Sequence, residues 1–149
     1  MIKHQDKNLA VFPCFNLGAG KRFTGTNTAK GEHNGLDWKY VTKPYSWVMA
    51  VQEGVVKEVG YENKEIGYYC TVEHTYDDNT KRITGYIHLY EQPIVKAGQK
   101  VKVGQQLGYR GGSPYISKTK TALYDPHLHL YVTKPISTSV PFLQLLSLK

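Results

Sequence analysis

Gly67-Tyr68-Tyr69-Cys70-Thr71-Val72-Glu73-His74 and Arg82-Ile83-Thr84-Gly85-Tyr86-Ile87-His88-Leu89 stand on either side of Asp77-Asp78-Asn79. Both flanks are of strand length and rich in β-branched and aromatic residues, and the Asp/Asn cluster supplies turn chemistry, so the stretch reads as a β-hairpin. Outward from it the same character recurs. Trp47-Val48-Met49-Ala50-Val51 ends at Glu53-Gly54, Val55-Val56-Lys57-Glu58-Val59 follows, and Gln106-Leu107-Gly108-Tyr109 comes later. Apolar residues nowhere recur at the helical period over a window of about 12 residues. The tail Pro141-Phe142-Leu143-Gln144-Leu145-Leu146 supports at most a short helical turn. The expected fold is all-β, with a twisted antiparallel sheet and short turns.

Two stretches break this rhythm. Residues 15–32 and 110–126 are polar, rich in Gly, Ser, Thr and Lys, and too long for ordinary connections. Segments of that length in a compact domain either wall a site or are disordered. Each runs directly into a histidine motif, which favours walls of a site. Neither a tandem repeat nor a linker is visible, and a chain of 149 residues suits one domain, spanning 1–149.

Composition excludes several classes. Hydrophobic residues make up 40%, enough for a packed core, so wholesale disorder is excluded. No apolar run approaches the roughly 18 residues of a membrane span. The opening Met1-Ile2-Lys3-His4-Gln5-Asp6-Lys7 lacks the apolar stretch of a secretory signal, so export by that route is not expected of the sequence as it stands. Cys14 and Cys70 are spaced for no metal knuckle and are expected to be buried free thiols. The net charge of +7 suits a polyanionic partner. No helix-turn-helix, zinc-finger or RNP-like motif accompanies it, so nucleic acid is not the expected partner. Lys96, Lys100, Lys102, Lys118 and Lys120 are dispersed and read as a solvated face. Tyr86, Tyr109, Tyr115 and Tyr124 are candidates to line a groove, with ordinary packing as the alternative.

Four of the six histidines keep informative company. Gly31-Glu32-His33-Asn34-Gly35-Leu36-Asp37-Trp38 sets an imidazole and a carboxylate four residues apart around a glycine. In His127-Leu128-His129-Leu130, a period of two would send both imidazoles to one face and both leucines into the core. Tyr86-Ile87-His88-Leu89 repeats this logic, with Ile87 and Leu89 facing one way and Tyr86 and His88 the other. His74 reads as a satisfied core histidine, and His4 as part of a frayed terminus. Zinc accepts imidazole nitrogen and carboxylate oxygen, and catalytic sites use three protein ligands plus an open position. His, Asp and His would supply three, which leaves two histidines as bases beside the metal.

Taken in order, His33-x-Gly35-x-Asp37, Tyr86-x-His88-Leu89, Val95-x-x-Gly98-x-x-Val101-x-x-Gly104-Gln105-x-x-Gly108 and His127-Leu128-His129 resemble the lysostaphin-type (M23, LytM-like) metallopeptidases across residues 11–131. The resemblance implies a twisted, mainly antiparallel sheet, the duplicated hybrid motif of LytM catalytic domains, with long loops flanking a groove. It implies one zinc ion per chain on His33, Asp37 and His129, and a catalytic pair, His88 and His127. It implies amide hydrolysis in the peptide stem or cross-bridge of bacterial peptidoglycan, with anionic wall polymers as further partners of the basic surface. The setting implied is the bacterial cell wall, for a phage lysis or tail-associated protein or an autolysin-type enzyme. One departure concerns specificity: Leu123-Tyr124-Asp125-Pro126 stands where members carry a Ser/Thr-Gly-Pro run, and the preceding loop is long. Glu32 is a conceivable partner of the metal-bound His33, or else a solvated loop carboxylate.

Other readings compete. A non-catalytic relative would keep the fold but characteristically lacks the ligands present here. A biotinyl or lipoyl carrier would explain the glycine-spaced segment but needs a modifiable lysine in a hairpin that this sequence lacks. A phosphoryl-carrier domain would leave Asp37 without a role.

Overall fold

The computed structural model describes residues 1–7, 9–11, 21–23, 36–39, 47–62, 66–111 and 127–132, the side chains of 21–23, 36–39, 127–129, 131 and 132 excepted. Among these lie a short 3-10 turn, His4–Asp6, and nine strands: β1 Lys21–Phe23, β2 Leu36–Lys39, β3 Trp47–Met49, β4 Gly54–Tyr61, β5 Tyr68–Thr75, β6 Lys81–Leu89, β7 Lys100–Val101, β8 Gln106–Tyr109 and β9 His127–Val132. Seven form one sheet in the order β1-β2-β9-β6-β5-β4-β7, and β3 pairs with β8 in a second. Every strand pairing is antiparallel. The all-β expectation holds, and no helix among the described residues is long and apolar enough to cross a membrane.

The expected hairpin is β5–β6. Its turn carries Asn79 at φ 68, and Asp78 Oδ1 accepts hydrogen bonds from the Thr80 amide and hydroxyl. Asn tolerates the left-handed region because its short polar side chain serves the local backbone. Val56, Cys70, Val72, Tyr86, Leu89, Val101 and Leu130 of the large sheet close over Val48 and Leu107 of the small one, with Ala10, Ala50, Val51 and Val95 completing the core. Cys70 is a buried free thiol, as expected, and desolvation pushes its pKa up to about 12. Cys14 lies outside the described residues.

Three expectations need correction. The sequence does contain a short repeat, Val95-Lys96-Ala97-Gly98-Gln99 followed by Val101-Lys102-Val103-Gly104-Gln105. Gly98 and Gly104 take φ 90 and 80; their amides donate to Val56 and Ala50 carbonyls, while the carbonyls of Gln99 and Gln105 accept from the same two residues' amides. In each turn the glutamine side chain also accepts the lysine amide. The period is only six residues, too short to register as a repeat of domains. Second, β1 forms inside the expected long loop and β2 at the histidine motif beyond it: neither holds a β-branched residue to mark it as a strand. Third, the N-terminus is tied down. Ile2 bridges to Tyr76, the His4 amide donates to Asp77, and His4 Nδ1 sits 2.6 Å from an Asp78 carboxylate oxygen.

Candidate metal centre

The large sheet threads its last strand, β9, between β2 and β6. Asp37 of β2 stands opposite His129 of β9, and Lys39 opposite His127. On the other side of β9, His129 stands opposite Ile87 and Leu130 opposite Tyr86. Opposed Cα atoms in an antiparallel pair lie about 4.5–5.5 Å apart. Residues 92 positions apart in sequence, one carboxylate-bearing and one imidazole-bearing, thus occupy one register position, with His88 one step along the neighbouring strand. Leu130 is fully buried in the core, as the alternation in His127-Leu128-His129-Leu130 requires.

At His88 the alternation fails. β6 pairs Tyr86 with Cys70 and Leu89 with Tyr68, so Ile87 and His88 together oppose Tyr69 alone. This β-bulge carries His88 at φ 65, and the residue is buried. The extra residue lets Tyr86 and Leu89, three positions apart, both join one core cluster, which the buried Ile87 does not join. The expected grouping of Ile87 with Leu89, and of Tyr86 with His88, is therefore wrong. Bulges next to sites characteristically re-aim a side chain. Histidine is among the residues enriched at positive φ, which is the only hint the sequence carried.

Tyr86 lines no groove. Its hydroxyl accepts the Val51 amide and bonds Thr84, and burial pushes its pKa up. Tyr109 is half-buried on β8, whereas Tyr115 and Tyr124 lie outside the described residues. Lys96, Lys100 and Lys102 are solvent-exposed, as expected. His74 is the satisfied core histidine expected, bonded to the Glu53 carbonyl and the Thr84 hydroxyl.

His33 and Glu32 lie outside the described residues, and Asp37, His127 and His129 are described through their backbone. Among the described residues no three His, Cys, Asp or Glu side chains gather as a metal-binding group. What bears on a metal is the donor chemistry: a carboxylate and an imidazole at one register position, with further imidazoles at 127 and 88. That donor set fits zinc.

The model of peptidase family M23 matches residues 31–140, so the chain belongs to that family. Peptidoglycan DD-endopeptidase ShyC of Vibrio cholerae is 36% identical over 97 residues, 65% of this chain and 19% of ShyC, so the chain spans about a fifth of that relative's length. The catalytic domain of lysostaphin, an antimicrobial peptidase from Staphylococcus simulans, superposes with a TM-score of 0.55 at 25% identity, covering 85% of this chain and 90% of that one. A zinc-containing peptidase from Vibrio cholerae superposes with a TM-score of 0.57 at 28% identity, covering 81% and 35% respectively. The sheet is that of the lysostaphin-type catalytic domains, and the sequence resemblance stands.

Proposed function

We propose that the chain is a zinc-dependent endopeptidase that hydrolyses amide bonds in the peptide stem or cross-bridge of bacterial peptidoglycan. The observation that carries this reading is the register across β2, β9 and β6, which sets Asp37 opposite His129 and His129 opposite Ile87, beside a bulged His88. A relative named as a peptidoglycan DD-endopeptidase and a neighbour named as a zinc-containing peptidase support the substrate and the metal.

On this reading His33, Asp37 and His129 hold one zinc ion. When bound, zinc would supply Lewis acidity, which makes water a better nucleophile near neutral pH and a carbonyl more electrophilic. His88 and His127 do the remaining work. One imidazole accepts the proton of the attacking water and later returns it to the leaving amine. The other donates a hydrogen bond to the oxygen on which charge develops. General acid–base assistance contributes about 10²–10⁴ in rate, and an oxyanion donor roughly 10²–10³. The cell wall is where this substrate is met.

The test combines metal analysis with mass spectrometry of fragments released from purified peptidoglycans of differing cross-bridge chemistry. The wild type should hold one zinc and release peptide fragments, and a chelator should stop release. His33→Ala, Asp37→Ala and His129→Ala should lose the metal. His88→Ala and His127→Ala should keep it while turnover falls by about 10²–10⁴. Stoichiometric loss of zinc from His88→Ala would overturn the division of roles. A zinc-loaded chain that cleaves no peptidoglycan would overturn the function.

A further inference from the structure

We infer that Gly111 is a positioning residue for His88, holding the β6 bulge closed by an approach so near that no side chain fits. This deepens the reading proposed above and rests on it for the role of the imidazole. The His88 amide donates to the Ile66 carbonyl at 2.9 Å, and the His88 carbonyl accepts from the Gly111 amide at 3.1 Å. The left-handed residue is thus gripped on both sides by backbone. Just beyond it, Leu89 bridges to Arg110, and the Tyr90 amide donates to the Tyr109 carbonyl at 2.9 Å. These contacts lay residues 109–111 against residues 88–90 as a second clamp.

The fit at Gly111 is a matter of space. A Cβ there would lie 2.7 Å from Tyr90 Cα, 2.8 Å from Tyr90 N and 3.2 Å from the His88 carbonyl oxygen. All three are backbone atoms, so no rotamer change relieves the overlap. Gly111 does not occupy the positive-φ region, unlike Gly98 and Gly104, so its requirement is the close approach. Adding a methyl group forces residues 109–111 outward and breaks the hydrogen bond to His88. A non-glycine residue at positive φ persists only while its surroundings impose it. Released, His88 relaxes toward extended backbone, and in a strand a one-residue change of register moves a side chain to the opposite face.

Four variants test this: Gly111→Ala, His88→Ala, His88→Gly, and Gly111→Ala combined with His88→Ala. Each is assayed for zinc content, melting temperature, and kcat and KM on purified cross-linked peptidoglycan fragments. Gly111→Ala should keep its zinc and hold KM within about threefold while kcat falls on the order of 10²-fold. In the His88→Ala background the same change should reduce kcat no further, because a residue acting through His88 has nothing left to act on. Zinc loss in Gly111→Ala, or an undiminished kcat penalty in the double variant, would overturn the proposal. Should Gly111→Ala fail to fold, the two single variants at 88 decide. The glycine form should melt about 3 °C above the alanine form, since only alanine is strained at positive φ. Equal melting temperatures would overturn the clamped bulge. Wild-type turnover in His88→Ala would sink the role of the imidazole instead, and leave the melting comparison standing.

Discussion

His74 shows how one residue's chemistry is set by its neighbours. It is fully buried. Its Nδ1 donates to the Glu53 carbonyl at 2.7 Å, and its Nε2 lies 2.8 Å from the Thr84 hydroxyl. Hydroxyls can donate or accept, and one assignment satisfies every group. The Val51 amide donates to Tyr86, Tyr86 to Thr84, Thr84 to Nε2, and Nδ1–H to Glu53. That chain needs a neutral ring. Desolvation by burial, opposed by the Glu53 hydrogen bond and reinforced by the Arg82 charge, pushes the His74 pKa down from 6.5 to about 4. The folded state thus binds this proton more weakly than the unfolded state does. The resulting stability is complete above pH 6.5 and is lost as pH falls toward 4. The full shift corresponds to about 3 kcal/mol. Urea unfolding of wild type and His74→Gln between pH 4 and 7 should show a steeper pH dependence in the wild type, and parallel curves would refute the assignment. Residue type and strand context marked His74 as a core histidine. The identities of Glu53 and Thr84 as its partners came only from the fold.

At the scale of elements, the twin turns at Gly98 and Gly104 explain the glycine-spaced segment between β6 and β8. Each turn needs a residue at positive φ, and open space surrounds both glycines, with no atom within 4 Å of a built Cβ. Alanine would therefore meet backbone strain alone. Gly98→Ala and Gly104→Ala should each destabilise by about 1–2 kcal/mol, in nearly equal measure, as read from chemical denaturation. A clearly unequal pair would mean that the two turns are not equivalent. Strands β3, β4, β5 and β6 were readable because each carries β-branched or aromatic residues bounded by turn formers. β1 and β2 were not, since Lys21-Arg22-Phe23 and Leu36-Asp37-Trp38-Lys39 hold no β-branched residue and are half charged or more. The bulge at His88 was equally hidden, because a bulge is a relation between two strands.

Across the whole molecule, a buried polar cluster ties the N-terminal segment to the sheet. Gln52 donates through Nε2 to the Lys7 and Leu9 carbonyls and accepts the Tyr76 hydroxyl at Oε1. Arg82 donates to the Lys7 carbonyl and stacks its guanidinium over the Tyr76 ring. Val11 then hydrogen-bonds Val51. Unmade bonds to buried groups cost about 1–3 kcal/mol each, so Gln52→Ala should destabilise by at least that much. It should also speed amide exchange at Ile2 and Val11 above that of the β5–β6 core; unchanged exchange there would show the segment to be held by other means. Nothing in the opening residues announced this docking, because Gln52 and Arg82 lie 45 and 75 positions from Lys7.

The amino-acid order alone established the all-β class and the central hairpin, since strand periodicity and turn chemistry act over a few neighbouring residues. Folding decided which strands became neighbours. β9 lies between β2 and β6, Asp37 stands opposite His129, and β6 spends an extra residue at His88. Those outcomes depend on burying several apolar faces at once, and no local stretch of chain encodes that choice.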